Sequence, residues 1–375
     1  MKYPTDSEEE NVSESSHVDQ SQKEPSQQPP PDPMAVCPVG LDDGYAYTKV
    51  ALADGRLFSV PSRARIGAAG VTWIRAQEQR IFEYETDGAI YSVGAVDGEE
   101  TSFDEYPGSA LNRVIVQHAL QEAGLSGRSV HLVTGLPVGD YYRNDGQLRQ
   151  GGIDQKRDSL KLTVDPRSAM RSRQTPTLKV SVAFHEVIPE ALAAWYDHVI
   201  VQQADGVTLD ADRLNEPIAI VDIGGRTTDY VVVQDQGIVH GSSGSLNRGM
   251  LHLKSRVADL VQEQFDLTGL GEQSIARAVD RQQLRLHGRD HDISTLVATA
   301  KRELVELLYS ETRRKLGLGA ELDQVLFVGG GSAALATDIG NWFPNQTIAD
   351  HAAFANARGM LKYLQFVCDD VERGF

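Results

Sequence analysis

The stretch VDIGGRTTDY, residues 221–230, decides how this chain is read. It ends the apolar run PIAIV (217–221) with an acid, Asp222, where a buried strand should stay apolar. It then passes Gly224, Gly225 and Thr228 into a second apolar run, DYVVV. A second stretch, GLDDGYAYTK (40–49), carries Asp42, Gly44 and Thr48, each 180 positions before its counterpart, between the runs AVCPVGL and KVAL. Strand, acid, glycine turn and strand, written twice, predict a duplicated hairpin.

Outward from both hairpins one order of elements recurs. In the first half AVCPVGL, TKVAL and RLFSVPS read as a three-stranded meander. ALNRVIVQHALQEAGL (110–125) has apolar residues at helical spacing up to a C-cap at Gly124. SVHLVTGLP and TLKVSVAFHEVI read as strands. PEALAAWYDHVI reads as a helix with Pro189 at its first position, where a missing N–H costs nothing. The second half gives strands in PIAIVDIG, DYVVVQ and GIVHG, helices at 249–265 and 294–316, and a strand in QVLFVGGG. Meander, helix and strand, twice over, predict an α/β architecture of two similar lobes.

The chain's 375 residues suffice for two such cores, and its formal charge of −17 argues against direct contact with bare nucleic acid or an anionic membrane. No apolar stretch is long enough to span a bilayer, and the start lacks the apolar core of a signal peptide. Cys37 and Cys368 form neither a CxxC pair nor a disulfide framework, which fits a reducing, cytoplasmic setting. The first 33 residues hold six prolines, eight acids and two bases, with no Ile, Leu, Phe or Trp. Such a segment, about 1–35, is expected to be a disordered acidic tail, either a spacer or partner-docking tail or a solvated extension.

A glycine hairpin can turn backbone N–H groups outward as an anion cradle, and two of them could hold a phosphate chain between the lobes. A carboxylate about 4 Å from a phosphate charge is repelled by roughly 4 kcal/mol at an effective dielectric near 20, so a cation must intervene. Magnesium takes one or two carboxylates plus phosphate oxygens and water, which suits Asp42 and Asp222 facing each other. The alternative is that each acid merely caps its own turn. VLFVGGGSAAL adds an apolar strand running into Gly329, Gly330 and Gly331 and then a helix, a geometry suited to a nucleoside. No GK dipeptide occurs, which excludes a Walker-type loop.

In this order the motifs resemble the actin-like ATPase superfamily, and within it the ParM/StbA-type plasmid-segregation actins. LDDGYAYTKV, VQHALQEAGL, LVTGLPVGDYY, VIPEALAAWY, IVDIGGRTTDYVVV, VLFVGGGSAAL and ANARGMLKYL carry the likeness across residues 36–366. The resemblance implies two lobes, 36–216 and 217–375, each with a ribonuclease-H-like core around a nucleotide cleft, and a last helix at about 352–366 packing back on the first lobe. It implies that Asp42 and Asp222 hold hydrated Mg2+, and that Gly44, Thr48, Lys49, Gly224, Gly225, Thr227 and Thr228 line the phosphates. Gly329, Gly330 and Gly331 would pack on the adenosine. Glu190 would orient or activate the attacking water, with Asp222 also counted as catalytic; without the likeness Glu190 reads as a first-turn acid facing the helix dipole. Gly249 would let the following helix pass near the nucleotide, and Asn356 and Gly359 match the returning helix, on which Leu361, Leu364 and Phe366 share a face.

Some residues depart from the pattern. Tyr45 and Tyr47 stand where relatives carry small polar residues. Arg226 is unusual between the glycines and threonines, and either neutralises phosphate charge or faces solvent. HGRDHD, with His287, Asp290, His291 and Asp292, reads as a polar loop, since its spacing fits no tetrahedral metal pattern. GSSGSLNRG lacks the glycine two residues after Ser243 that a nucleophile elbow needs. Trp195 and Tyr196 read as helix packing.

The resemblance implies an ATP- or GTP-dependent, Mg2+-requiring hydrolase that polymerises head to tail and moves plasmid DNA through a DNA-bound adaptor of ParR type. The rivals are a non-polymerising ATPase of the same fold, chaperone-like, and a small-molecule kinase. A chaperone would carry a peptide-binding domain, for which the nine residues after Phe366 leave no room at that end.

Overall fold

Alternation along Ile218–Ile223 shows how the chain builds its centre. All six residues are buried. Ala219, Val221 and Ile223 enter one core, while Ile218 and Ile220 enter another on the opposite face, as the twofold period of a strand requires. The computed structural model describes residues 35–70, 81–94, 98, 101–167, 178–203 and 206–368. These residues form one compact unit. The tail expected at 1–35 lies, but for Ala35, outside the described residues.

Two sheets share one topology. The first has the spatial order Leu57–Pro61, Tyr47–Leu52, Cys37–Asp43, Ser129–Leu136, Ser181–Pro189. Its first three strands are antiparallel, and the last two join in parallel. The second sheet runs Gly237–Ile238, Thr228–Gln234, Ile218–Ile223, Gln324–Val328, Gln346–Ile348, with the same antiparallel and parallel pairings. In each, the meander's first strand becomes the centre. The expected strand in GIVHG is only Gly237–Ile238, and Gly244–Leu246 also pairs with Thr228–Gln234.

Helices cover these sheets where their stripes dictate. Ser294–Leu316 buries Val297, Ala300, Leu304, Leu308 and Thr312, a three-to-four-residue spacing that lays one face on the second sheet. Ala110–Glu122 begins at Ser109, whose Oγ accepts from the Asn112 N–H at 3.1 Å. The helix Leu192–Val199 lends Ala194, Trp195 and Val199 to the core reached by Ile218 and Ile220, so Trp195 is packing. The last helix, Ala355–Phe366, lies against Cys37–Asp43 and Leu192–Val199, with Ala357, Met360, Leu361 and Leu364 buried. Any Cβ at Gly359 would overlap the Ala193 carbonyl oxygen, so helix contact there requires glycine.

Several expectations need correction. Pro189 does not open a helix: it ends the strand Ser181–Pro189, and the chain turns through Ala191 at φ +60° before the helix Leu192–Val199. Phe366 is exposed, off the face that buries Leu361 and Leu364. HGRDHD is not a loop but the turn and return strand of a hairpin, Gln283–Leu286 with Arg289–Asp292, tied by Arg285 to Asp290 at 3.1 Å. A four-stranded sheet, in the order Ala64–Ile66, Ala89–Gly94, Ile81–Thr86, Asp165–Arg167, was not foreseen. Among the described residues no helix is long and apolar enough to cross a membrane.

Candidate functional site

Because both hairpins turn at the same end of equivalent sheets, their acids come to one place. Asp42 and Asp222 line a single cavity of about 240 Å³. Lys49, Glu190, Gly44, Gly224, Gly225 and Thr227 share its wall, and Gly330 and Gly331 close it from the strand-to-helix turn after Val328. Lys49 Nζ donates to Asp42 Oδ2 at 2.7 Å. Asn356 Nδ2 donates to Asp222 Oδ2 at 2.6 Å, while its Oδ1 accepts from the Ala191 N–H at 3.1 Å. One amide on the last helix therefore orients Asp222 and steadies the turn beside Glu190.

Charge in the cavity is unbalanced. Burial, then the charge of Asp42, pushes Asp222 up to about 7. Burial, followed by Asp42, Asp229 and Asp222, holds Glu190 well above the usual carboxylate range. Burial acts against the Lys49 ammonium, but Asp42 beside it, with Asp222 and Glu190, carries it above its ordinary value. Three acids around one lysine in a buried space make a site short of positive charge, so the donors present fit a divalent cation. Among the described residues no three His, Cys, Asp or Glu side chains are grouped to hold a metal. A cation on Asp42 and Asp222 would complete its shell from water and phosphate, as magnesium does.

Not every expected residue reaches the cavity. Thr48 and Thr228 are fully buried struts: Thr48 shares a 3.0 Å hydrogen bond with Ser62, whose Oγ donates to the Gly44 carbonyl, and Thr228 donates to the Arg248 carbonyl at 2.8 Å. Gly249 lies behind the second hairpin, and the N–H groups of Met250 and Leu251 donate to the Gly224 and Gly225 carbonyls at 3.0 and 2.8 Å. The Gly224 N–H closes its own turn on the Thr227 carbonyl at 2.9 Å and does not face outward as an anion donor. Gly329 adopts φ +87°, and a Cβ there would collide with Asp222 Oδ1; its place is to make room for that carboxylate.

Arg226 fits neither expectation. It is 8% exposed and outside the cavity wall, paired with Asp104 and stacked on Tyr45. Tyr45 is buried and lines the cavity, as does the half-exposed Tyr47. Ser243 donates to the Val239 carbonyl and accepts from the Val232 N–H, a structural role. Sequence reasoning missed Lys254, Val279 and Asp280, which extend the cavity along the helices Met250–Phe265 and Glu272–Arg281. It also missed Asp229, a buried acid that accepts from the Val138 N–H and Thr227 Oγ1 at 2.8 Å each and from Ser245, and that burial still raises to about 6. The 180-residue repeat was the available signal, since Asp229 stands where Lys49 stands in the first hairpin.

Two equivalent sheets facing a cavity, with an acid from each hairpin in its wall, define an actin-like fold: two ribonuclease-H-like cores around a cleft. Residues 39–199 match the family model "Plasmid segregation protein ParM, N-terminal", and residues 220–340 match "Archaeal actin homologue MreB-like, C-terminal". The chain thus has an actin-like fold whose first half is similar to the ParM N-terminal family and whose second half is similar to the archaeal MreB-like actins. Among solved structures, the archaeal actin homologue Ta0583 is similar at a TM-score of 0.67 and 20% identity, over 88% of this chain and 99% of its own. The same homologue in complex with ADP gives 0.65 and 20%, over 87% and 98%. A 15-stranded ParM filament from Clostridium botulinum gives 0.67 and 18%, over 88% and 99%. No curated protein matches the chain by sequence.

Proposed function

We propose that this chain is a cytoplasmic, Mg2+-dependent hydrolase of ATP or GTP that assembles into filaments and segregates plasmid DNA through a DNA-bound adaptor protein of ParR type. The observation that carries the reading is the meeting of Asp42, Asp222, Glu190 and Lys49 in one buried cavity between two sheets of equal topology. The lobes are assigned to 36–216 and 217–375. The solved ADP complex of an archaeal relative and the ParM filament support nucleotide binding and self-association here. Open head-to-tail contacts between like subunits give filaments when the rotation does not close.

In this reading Asp42 and Asp222 would hold the magnesium ion, which supplies positive charge against the phosphates. Lys49 holds Asp42 in place through its 2.7 Å hydrogen bond. Asn356 presents Asp222 in one orientation. Glu190, half-buried in the cavity wall and raised, is the group to take a proton from an attacking water, a general base of the kind that contributes about a hundredfold to ten-thousandfold. Lys254, Asp280 and Val279 are assigned to the nucleoside end, beside Gly330 and Gly331. Sedimentation with and without Mg-ATP, alongside phosphate release, tests the reading. Nucleotide-dependent pelleting with phosphate release is expected. Binding without pelleting under any nucleotide would leave a non-polymerising ATPase.

A further inference from the structure

The tip of the second hairpin is built into the first. A Cβ on Gly225 would stand 2.7 Å from the Ala46 Cβ and 2.9 Å from its nitrogen, so the two turns touch. Beside that contact Arg226 crosses to the first lobe. Its guanidinium carbon lies 5.0 Å from the centroid of the Tyr45 ring, its Nη1 donates to the Tyr45 hydroxyl at 3.3 Å, and its Nη2 pairs with Asp104. The platform that receives it is fixed: Tyr45 packs on Tyr106 with ring centroids 5.2 Å apart, and its carbonyl accepts from Thr101 Oγ1 at 2.6 Å.

Other contacts between the two halves have a different character. The Ala191 N–H to Asn356 Oδ1 and the Val138 N–H to Asp229 Oδ1 are buried hydrogen bonds. Arg63 to Glu272, at 3.0 Å, sits on the wetter rim, where an ion pair adds little. Arg226 stands between these classes. It is nearly buried, and it lies just behind a wall formed by Tyr45, Ala46 and Gly225. Asp104 is mostly exposed, so the ion pair alone is weak; the desolvated stacking on Tyr45 carries the contact. A planar guanidinium can stack, bond the hydroxyl and reach the carboxylate together, which an ammonium cannot.

We propose that Arg226 is a clasp that holds the two hairpin tips together and so sets how fast a bound nucleotide leaves, without itself touching the nucleotide. It is a positioning residue, and its role in release rests on the nucleotide reading above. A ligand enclosed by both hairpins escapes when the tips part, and parting breaks the stacking, the hydroxyl bond and the ion pair at once. Retention on this account depends on a side chain outside the cavity wall.

The test is stopped-flow release of an N-methylanthraniloyl ATP analogue from the wild type, Arg226→Ala, Arg226→Lys and Asp104→Asn, with hydrogen exchange over residues 44–48 in the nucleotide-free proteins. Release about tenfold faster in Arg226→Ala, equivalent to ~1.4 kcal/mol, is expected. Most of that loss should persist in Arg226→Lys and a smaller one in Asp104→Asn, with faster exchange at 44–48 following the same order. Release within twofold of wild type in Arg226→Ala overturns the clasp. Failure of the wild type to bind the analogue, with exchange at 44–48 still faster in Arg226→Ala, takes down the nucleotide reading and the claim about release with it, and leaves only the contact between hairpins.

Discussion

The two hairpins share their acid, glycine and threonine, yet they differ at the position that faces the acid across the ladder. Asp42 pairs in register with Lys49, and Asp222 with Asp229. The first hairpin thus brings its own counter-charge, 2.7 Å away. In the second, two buried acids are neighbours, and burial raises both, Asp222 to about 7 and Asp229 to about 6. The two scaffolds match, and one differing residue gives the first hairpin its own counter-charge and the second a pair of facing buried acids. The threonines show the conserved half of the comparison, since both are buried struts behind their turns.

The comparison can be broken most severely where both hairpins meet Glu190. Glu190→Gln is expected to slow hydrolysis about a hundredfold to ten-thousandfold while equilibrium nucleotide binding persists; phosphate-release assays and binding titrations read the two separately. Next, the acids themselves should respond unequally. Asp42→Asn takes the hydrogen-bonded carboxylate from the half-buried Lys49 and should cost about 1–3 kcal/mol of nucleotide-free stability, whereas Asp222→Asn removes a charge that burial already disfavours and should cost little. Urea unfolding of both variants decides this, and equal losses would erase the distinction between the hairpins.

Acidity sharpens the same contrast. The folded-state value of Asp222 is raised to about 7 from an ordinary 3.8, so its contribution to stability is complete below about pH 4 and is lost as pH rises toward 7, by up to ~4 kcal/mol at 1.36 kcal/mol per unit. Glu190 and Asp229 are shifted in the same direction. Unfolding of the nucleotide-free protein at pH 5 and pH 8 should show lower stability at pH 8, and a smaller drop in Asp222→Asn. The smallest effect concerns the struts. Thr48→Val and Thr228→Val should each cost about 1 kcal/mol, and to a similar extent, in thermal melts.

Legibility followed the range of the interactions. The duplicated hairpin, both meanders and the helix Ser294–Leu316 were readable because strand alternation and helical stripes are local. The acids and glycines of the cavity were readable because they lie inside those local patterns. Pro189 misled because its fixed φ suits a strand end as well as a helix start, and nothing local marks the left-handed turn at Ala191. Arg226 was unreadable for a different reason: Asp104 and Tyr45 lie 122 and 181 residues away. Lys254 and Asp280 sit on amphipathic helices, where a charged residue facing a cleft looks like one facing water.

The central claim is that one acid from each hairpin holds a single cation against a nucleotide. Calorimetric titration of ATP into the wild type, Asp42→Asn and Asp222→Asn, with and without Mg2+, tests it most directly. Magnesium should tighten ATP binding at least tenfold in the wild type, and that gain should vanish in Asp222→Asn and shrink in Asp42→Asn. Equal affinity with and without magnesium in the wild type, or a gain that survives loss of either acid, would contradict the account.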